Sequence, residues 1–296
     1  MPSPDEEAEI EASRAPLLEH LAELRNRLII CVVALFLAFG VLFYFSENIL
    51  ETLLRPYKVA AGLVALQTDK GDHGAFNLDL IRGLFGMIDL PAPKKDLAVV
   101  QTAPLEIFWM KVKVAAMGAV GVMFPLLAFQ LYRFVAPGLY RRERGAFVPF
   151  LFASPLLFLL GTALVFYIMF PFVLWFSLNQ EVASLGGVSI SSMYKISDYI
   201  ALAAGLLLAF GLCFQLPVVL SLLGLAGFVS SKSLRTFRRY AIVAVFIVAA
   251  VVTPPDPISQ LTLAIPMIML YEVSIWCVWL LERRRKRRDA AEVATV

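Results

Sequence analysis

The stretch from Gly145 to Gln180, GAFVPFLFASPLLFLLGTALVFYIMFPFVLWFSLNQ, runs for 36 residues without a charged side chain. Wholly helical, it would be about 54 Å long at the α-helical rise, against a bilayer hydrocarbon core of about 30 Å. That is too long for one crossing and too short for two crossings and a turn. Pro171 and the Trp175 that follows predict a helix ending near Phe170, with the remainder at the outer interface, where tryptophan is favoured. The solvent for such a run is lipid, and the rest of the chain agrees. No charge falls between Arg27 and Glu47, between Lys113 and Arg133, or from Tyr199 to Ser231, and Asp256 is the only charge from Tyr240 to Tyr271. The chain is 60% hydrophobic and 17% charged, with a mean hydropathy of +0.78, whereas soluble domains carry about 25% charged residues. The expectation is an all-α, polytopic membrane protein.

Outward from that run, residues 1–16 are acidic and predict a disordered N-terminus. With Asp5, Glu6, Glu7, Glu9 and Glu11 where a basic region would stand, the segment does not read as a cleavable signal peptide. Leu17, Leu21, Leu24 and Leu28 form a helical stripe that enters a first span, roughly Leu28 to Phe45. Residues 46–103 read as a long polar loop outside the cytoplasm, punctuated by glycines and by Pro91-Ala92-Pro93. A second span covers about 112–132, a third about 147–169 and a fourth about 199–223. The sequence Thr253-Pro254-Pro255-Asp256-Pro257 cannot continue a helix, since proline lacks an N–H and clashes with the preceding turn. It separates a fifth span near 240–252 from a sixth near 258–281. The fifth holds only about 13 residues, close to 20 Å of helix, which implies local bilayer thinning or shelter by neighbours. The membrane domain is therefore 17–282 with a basic tail, 283–296.

Lysine and arginine set the orientation. Arg14, Arg25 and Arg27 precede the first span; Arg133, Arg141, Arg142 and Arg144 follow the second; Lys232, Arg235, Arg238 and Arg239 follow the fourth; and residues 283–288 are uninterruptedly basic. Both termini are expected in the cytoplasm.

Several polar residues are candidates for function. Glu23 and Arg27 stand at i,i+4 and can simply pair, for about 0.3–0.5 kcal/mol. Glu143 sits among Arg141, Arg142 and Arg144, just after the Pro137-Gly138 turn with Phe134 and Tyr140 around it. Gln215 lies at the middle of the fourth uncharged run, two residues before Pro217, where its amide can satisfy backbone groups that proline frees. Glu272 lies about 15 Å of helix inside the basic tail. Lys111 and Lys113 open the second span close to Glu106; ionisable groups at depth are functional candidates. Cys31, Cys213 and Cys277 fall in apolar runs without ligand spacing, and His20 and His73 are the only histidines. No metal, cofactor, nucleic-acid partner or enzymatic constellation is expected.

The segments HLAELRNRL (20–28), TAPLEIFWMKVK (102–113), FPLLAFQLYRFVAPGLYRRER (124–144), FGLCFQLPVVL (210–220) and TPPDPISQLTLAIPM (253–267) resemble, in order, those of the TatC family. TatC proteins are the multi-span core subunits of the twin-arginine translocase. The resemblance implies a concave scaffold of six helices with short fifth and sixth members, in a bacterial inner membrane. It also implies recognition of twin-arginine signal peptides through Glu23 and Glu143, with Arg25 and Phe134 nearby, and export of folded proteins with TatA and TatB in a multimeric complex driven by the proton-motive force. Carboxylates suit that task because they bind guanidinium in a planar fork. Gln215, Gln260, Asp256 and Glu272 are expected as intramembrane polar or partner contacts. The chain departs from the family pattern at Gly145, where many members continue an arginine pair, and at Gln215, where many carry glutamate. The alternative reading is a secondary transporter of a small solute, but no repeat relates the two halves.

Overall fold

The structure is a computed structural model that describes residues 4–70, 82–83, 99–100, 103–135, 144–179, 184–185, 188–189, 194–252 and 257–294. Helix α1 spans Pro4–Tyr44, α2 Ser46–Leu53, α3 Arg55–Lys70, α4 Glu106–Val135 and α5 Arg144–Leu164. A π turn, Val165–Met169, joins α5 to α6, Phe170–Asn179. Then follow α7, Ile196–Cys213; α8, Leu216–Leu225; α9, Ser231–Val252; and α10, Pro257–Ala294. Four two-residue strands lie in the connections: β1, Val99–Val100, runs parallel to β4, Tyr194–Lys195, while β2, Ser184–Leu185, pairs antiparallel with β3, Val188–Ser189. Among the described residues, five helical stretches are long and apolar enough to cross a membrane: 21–44, 106–134, 149–179, 196–225 and 260–284. The sixth crossing is α9, whose apolar part, 240–252, lies antiparallel to α10.

Four expectations need correction, the last of them in the 46–103 segment. The acidic N-terminal segment is helical from Pro4 onward; its Glu, Ala and Leu are good helix formers, and acids at a helix start favour the macrodipole. The apolar stretch of α9 is short as expected, but α10 has 38 residues and its apolar part alone crosses the membrane. The third uncharged run does not stop near Phe170. It continues through α6 because the π turn shifts the ladder ahead of Pro171: the Phe170 N–H donates to Val165 O, five residues back. A proline ring collides with the carbonyl four residues before it, and this widened turn lies directly over that carbonyl.

The upper end of this long helix therefore packs on protein. Trp175 is 4% exposed, and its indole N–H donates to Gln67 Oε1 at 2.9 Å, a bond the Asn179 amide shares at 3.1 Å. Gln67 belongs to α3, in the segment read from sequence as a polar loop. Instead α2 and α3 form a cap whose Leu53, Tyr57, Ala60 and Leu63 join one core with Phe170, Leu174, Tyr199 and Ile200. Tyr199 pins the cap: its hydroxyl donates to Leu53 O, and its ring meets Tyr57 and Phe170 with centroids 5.8 and 5.2 Å away.

Helices α5 and α7 cross closely through a reciprocal exchange of glycine and phenylalanine. A Cβ on Gly161 would lie 2.7 Å from the Phe214 ring, and one on Gly211 would lie 2.4 Å from the Phe158 ring. At the other end, α8 closes in a Schellman turn. Gly227 adopts φ +80°, its N–H reaching Gly224 O at 3.1 Å while the Phe228 N–H reaches Leu223 O at 3.0 Å. Ser230 then caps α9 by accepting the Ser233 N–H at 3.1 Å. Glu282 of α10 accepts the Ser231 N–H and hydroxyl at 2.9 and 2.6 Å. That fastens the α9–α10 hairpin at the end that faces the termini.

Candidate functional site

At the termini-facing end of the membrane domain, α1 and α4 run antiparallel. Arg27 is the joint between them. Its guanidinium pairs with Glu23 one turn earlier and donates to Gln130 O of α4 at 3.4 Å. The Arg27 side chain is 12% exposed and that of Glu23 39%, so the arginine is held against α4 while the carboxylate is partly exposed to solvent. Phe134, half-buried, lies one turn beyond Gln130, so Glu23 and Phe134 end at the same level of the helix pair. Arg25 is exposed, but two residues along a helix do not share a face, and the structure does not bring it to Glu23. Glu143 lies outside the described residues, at the end of the short connection that leaves α4 after Val135 and enters α5 at Arg144. The ion pair read from sequence is present. The sequence reading missed its anchorage on α4, because no local pattern pairs an arginine with a carbonyl 103 residues away.

The intramembrane candidates have different partners from those expected. Gln215 is buried at the break between α7 and α8, and its side chain turns to α5 rather than to the backbone near Pro217. Its Oε1 accepts from Ser154 Oγ at 2.7 Å and its Nε2 donates to Ser154 O at 3.0 Å. Tyr132 of α4 shares a hydrogen bond with the same serine, so three helices meet in one polar knot. A buried amide is tolerated in apolar surroundings because both ends are bonded, and it carries no titratable proton. Replacing either Gln215 with Leu or Ser154 with Ala is expected to cost about 1 kcal/mol, the scale of interhelical hydrogen bonds in membranes. The double variant should cost less than the sum, since the first loss already orphans the second group; thermal unfolding in detergent reads both.

Gln260 donates to Phe246 O of α9 at 3.2 Å, tying the far end of the hairpin. Glu272 forms a two-point ion pair with Arg238, Nε at 2.7 Å and Nη2 at 2.8 Å. Both serve the α9–α10 contact, as does the Tyr271 hydroxyl, which donates to Leu234 O at 2.8 Å. Asp256 lies outside the described residues. No cluster of histidine, cysteine or carboxylates capable of holding a metal occurs among the described residues.

Residues 19–266 match the family described as Sec-independent protein translocase protein TatC. A protein of that description from Magnetococcus marinus is 37% identical over 281 residues, covering 95% of this chain and 90% of its own length. Another from Haemophilus influenzae is 37% identical over 260 residues, covering 88% of this chain and 87% of its own. A crystal structure of the twin-arginine translocase receptor TatC superposes with a TM-score of 0.67 at 30% identity, covering 88% of this chain and 98% of the crystallised one. These matches run through all the helices that build the α1–α4 corner and the Gln215 knot, and they agree with a multi-pass transport protein that is not an enzyme. The chain belongs to the TatC family of Sec-independent protein translocase proteins.

Proposed function

We propose that this chain receives twin-arginine signal peptides at the termini-facing end of α1 and α4, and that this face is cytoplasmic. The observation that carries the reading is the partly exposed Glu23 carboxylate at this end of α1, held in place through Arg27 on Gln130 O. A carboxylate accepts bidentate guanidinium and still has lone pairs for a second donor. Engagement by Arg27 therefore positions Glu23 for an incoming arginine. Glu143 would supply the second carboxylate from the α4–α5 connection, one acid for each arginine, with Phe134 offering apolar surface beside them and Arg25 at the rim. The inward bias of lysine and arginine supports cytoplasmic termini in a bacterial inner membrane. The TatA and TatB subunits are the partners with which it would export folded proteins, as a multimeric complex driven by the proton-motive force. Gln260, Asp256 and Glu272, around the α9–α10 hairpin, would lie on the partner-facing side.

Glu23→Gln and Glu143→Gln test this directly. Each is expected to lower photocrosslinking of a twin-arginine peptide about tenfold or more, the worth of a charge-assisted hydrogen bond. The double variant should bring it to the level of a peptide with twin lysines. Undiminished crosslinking in both singles and the double would sink the receptor reading.

A further inference from the structure

Between α1 and α4, on the surface facing lipid, lies an apolar groove of about 360 Å³ lined by Leu35, Phe36, Phe39, Ala116, Ala119 and Val120. It is hollow because α4 presents two alanines where α1 presents phenylalanines. Ala116 and Val120 lie three and seven residues after Lys113, on the same helix face. The uncharged run 114–132 has 19 residues, about 28 Å of helix, which matches the hydrocarbon core. Lys113 thus stands at the headgroup boundary on the side opposite the termini, and the groove begins about one turn deeper. Its neighbour Lys111 is engaged by Glu47 at 2.6 Å, and that ammonium holds the Glu47 carboxyl below its ordinary range. Lys113 is exposed and makes no ion pair among the described residues.

We propose that this groove and Lys113 form a site for one anionic phospholipid of the leaflet opposite the termini, with the phosphate on the Lys113 ammonium and an acyl chain in the groove. A compact, hydrated ammonium suits a phosphate as a point charge. An acyl chain restores dispersion contacts that the alanines leave unmade. The groove is lined by apolar side chains alone with a single ammonium at its headgroup end, which fits one charged headgroup above a hydrocarbon chain. The charge at the surface and the apolar groove beneath it occur in the order in which a phospholipid presents its headgroup and chains.

The test uses the full-length protein in mild detergent, titrated with phosphatidylglycerol or phosphatidylcholine of identical acyl chains and read by native mass spectrometry. The wild-type protein is expected to retain one lipid, with phosphatidylglycerol favoured about fivefold, the effect of one lysine at an anionic surface. Lys113→Gln should abolish that preference while a lipid of either kind still binds. Ala116→Phe should fill the groove and reduce retention of both, and Lys58→Gln on α3 should change neither. Ala116 and Lys113 are exposed; the unfolding temperature of each variant is measured alongside, and Ala116→Leu replaces any phenylalanine variant that does not fold. An intact preference in Lys113→Gln, or intact retention in the folded groove-filling variant, overturns the site. So does a protein helix crosslinking at Ala116→Cys in native membranes in place of lipid.

Discussion

Gly211→Leu is expected to prevent recovery of folded protein from the membrane, the largest stability effect of any single change in the bundle. The site has no slack. A Cβ at Gly211 would lie 2.4 Å from the Phe158 ring, and that ring cannot swing away, because it is 2% exposed and stacked on Phe124 with centroids 4.0 Å apart and planes at 12°. One turn along the same crossing, Gly161 faces Phe214 and Phe210 O in the same way, so α5 cannot tilt to make room without closing the second contact. Overpacking typically costs about 1–3 kcal/mol, and Gly211→Ala should fall in that range as a lowered unfolding temperature in detergent. The leucine exceeds it and also disturbs the adjacent Ser154–Gln215 pair. Phe158→Leu should partly rescue Gly211→Ala, since the two share one contact and their effects do not add. A Gly211→Leu protein that unfolds at the wild-type temperature would mean that α5 and α7 do not cross here.

How much of this was legible in the sequence depends on whether the controlling interaction was local. Charge-free runs located the crossings, and the prolines of 253–257 marked the hairpin, because lipid imposes length and proline imposes a break whatever the tertiary context. The Glu23–Arg27 pair was readable from spacing alone. The cap was readable in principle: Leu53, Tyr57, Ala60 and Leu63 recur at helical intervals, but their neighbours are polar and the segment as a whole read as a loop. Pro171 reads as a terminator because a π turn has no sequence signature of its own. Ser154 went unnoticed beside Gln215, since 61 residues separate them and only the α5–α7 crossing brings them together.

These misses share a physical origin. The α5–α6 helix is about 54 Å long, and the part of it beyond the bilayer is stable only because α3 covers it. The apolar part of α9, near 20 Å, is short of the bilayer core and lies against α7 and α10. Neither length makes sense for an isolated span, and both make sense once the neighbour that shelters the helix is known. Lipid dictates the average span, whereas protein contacts set the departures from it.

The charge swap Glu23→Arg with Arg27→Glu is expected to keep the protein folded and to lose twin-arginine peptide binding, which separates the two roles of the pair. As an i,i+4 contact on a helix, the pair is worth only about 0.3–0.5 kcal/mol. The reversal also loses the Arg27 hydrogen bond to Gln130 O, for about a further 1.5–3 kcal/mol; the unfolding temperature should fall while the domain stays folded. The swap retains one acid and one base on the same face of α1. It moves the carboxylate one turn, about 6 Å, to a position 12% exposed against α4, and places a guanidinium at the more exposed position. If Glu23 matters only because it steadies Arg27, Glu23→Gln, whose amide oxygen still accepts from Arg27, binds the peptide as the wild type does. If Glu23 receives the peptide, the swap is as defective as the single change, with crosslinking down about 10- to 100-fold, as expected for one or two charge-assisted hydrogen bonds replaced by like-charge repulsion. Raising salt distinguishes this loss from misfolding, because repulsion between exposed charges is screened within a Debye length of about 8 Å at physiological ionic strength. Partial recovery of binding at high salt by the swapped protein, without a change in its unfolding temperature, is the signature of a displaced receptor carboxylate. Wild-type binding by the swapped protein would show that recognition does not use the Glu23 carboxylate and leave it to the α4–α5 connection.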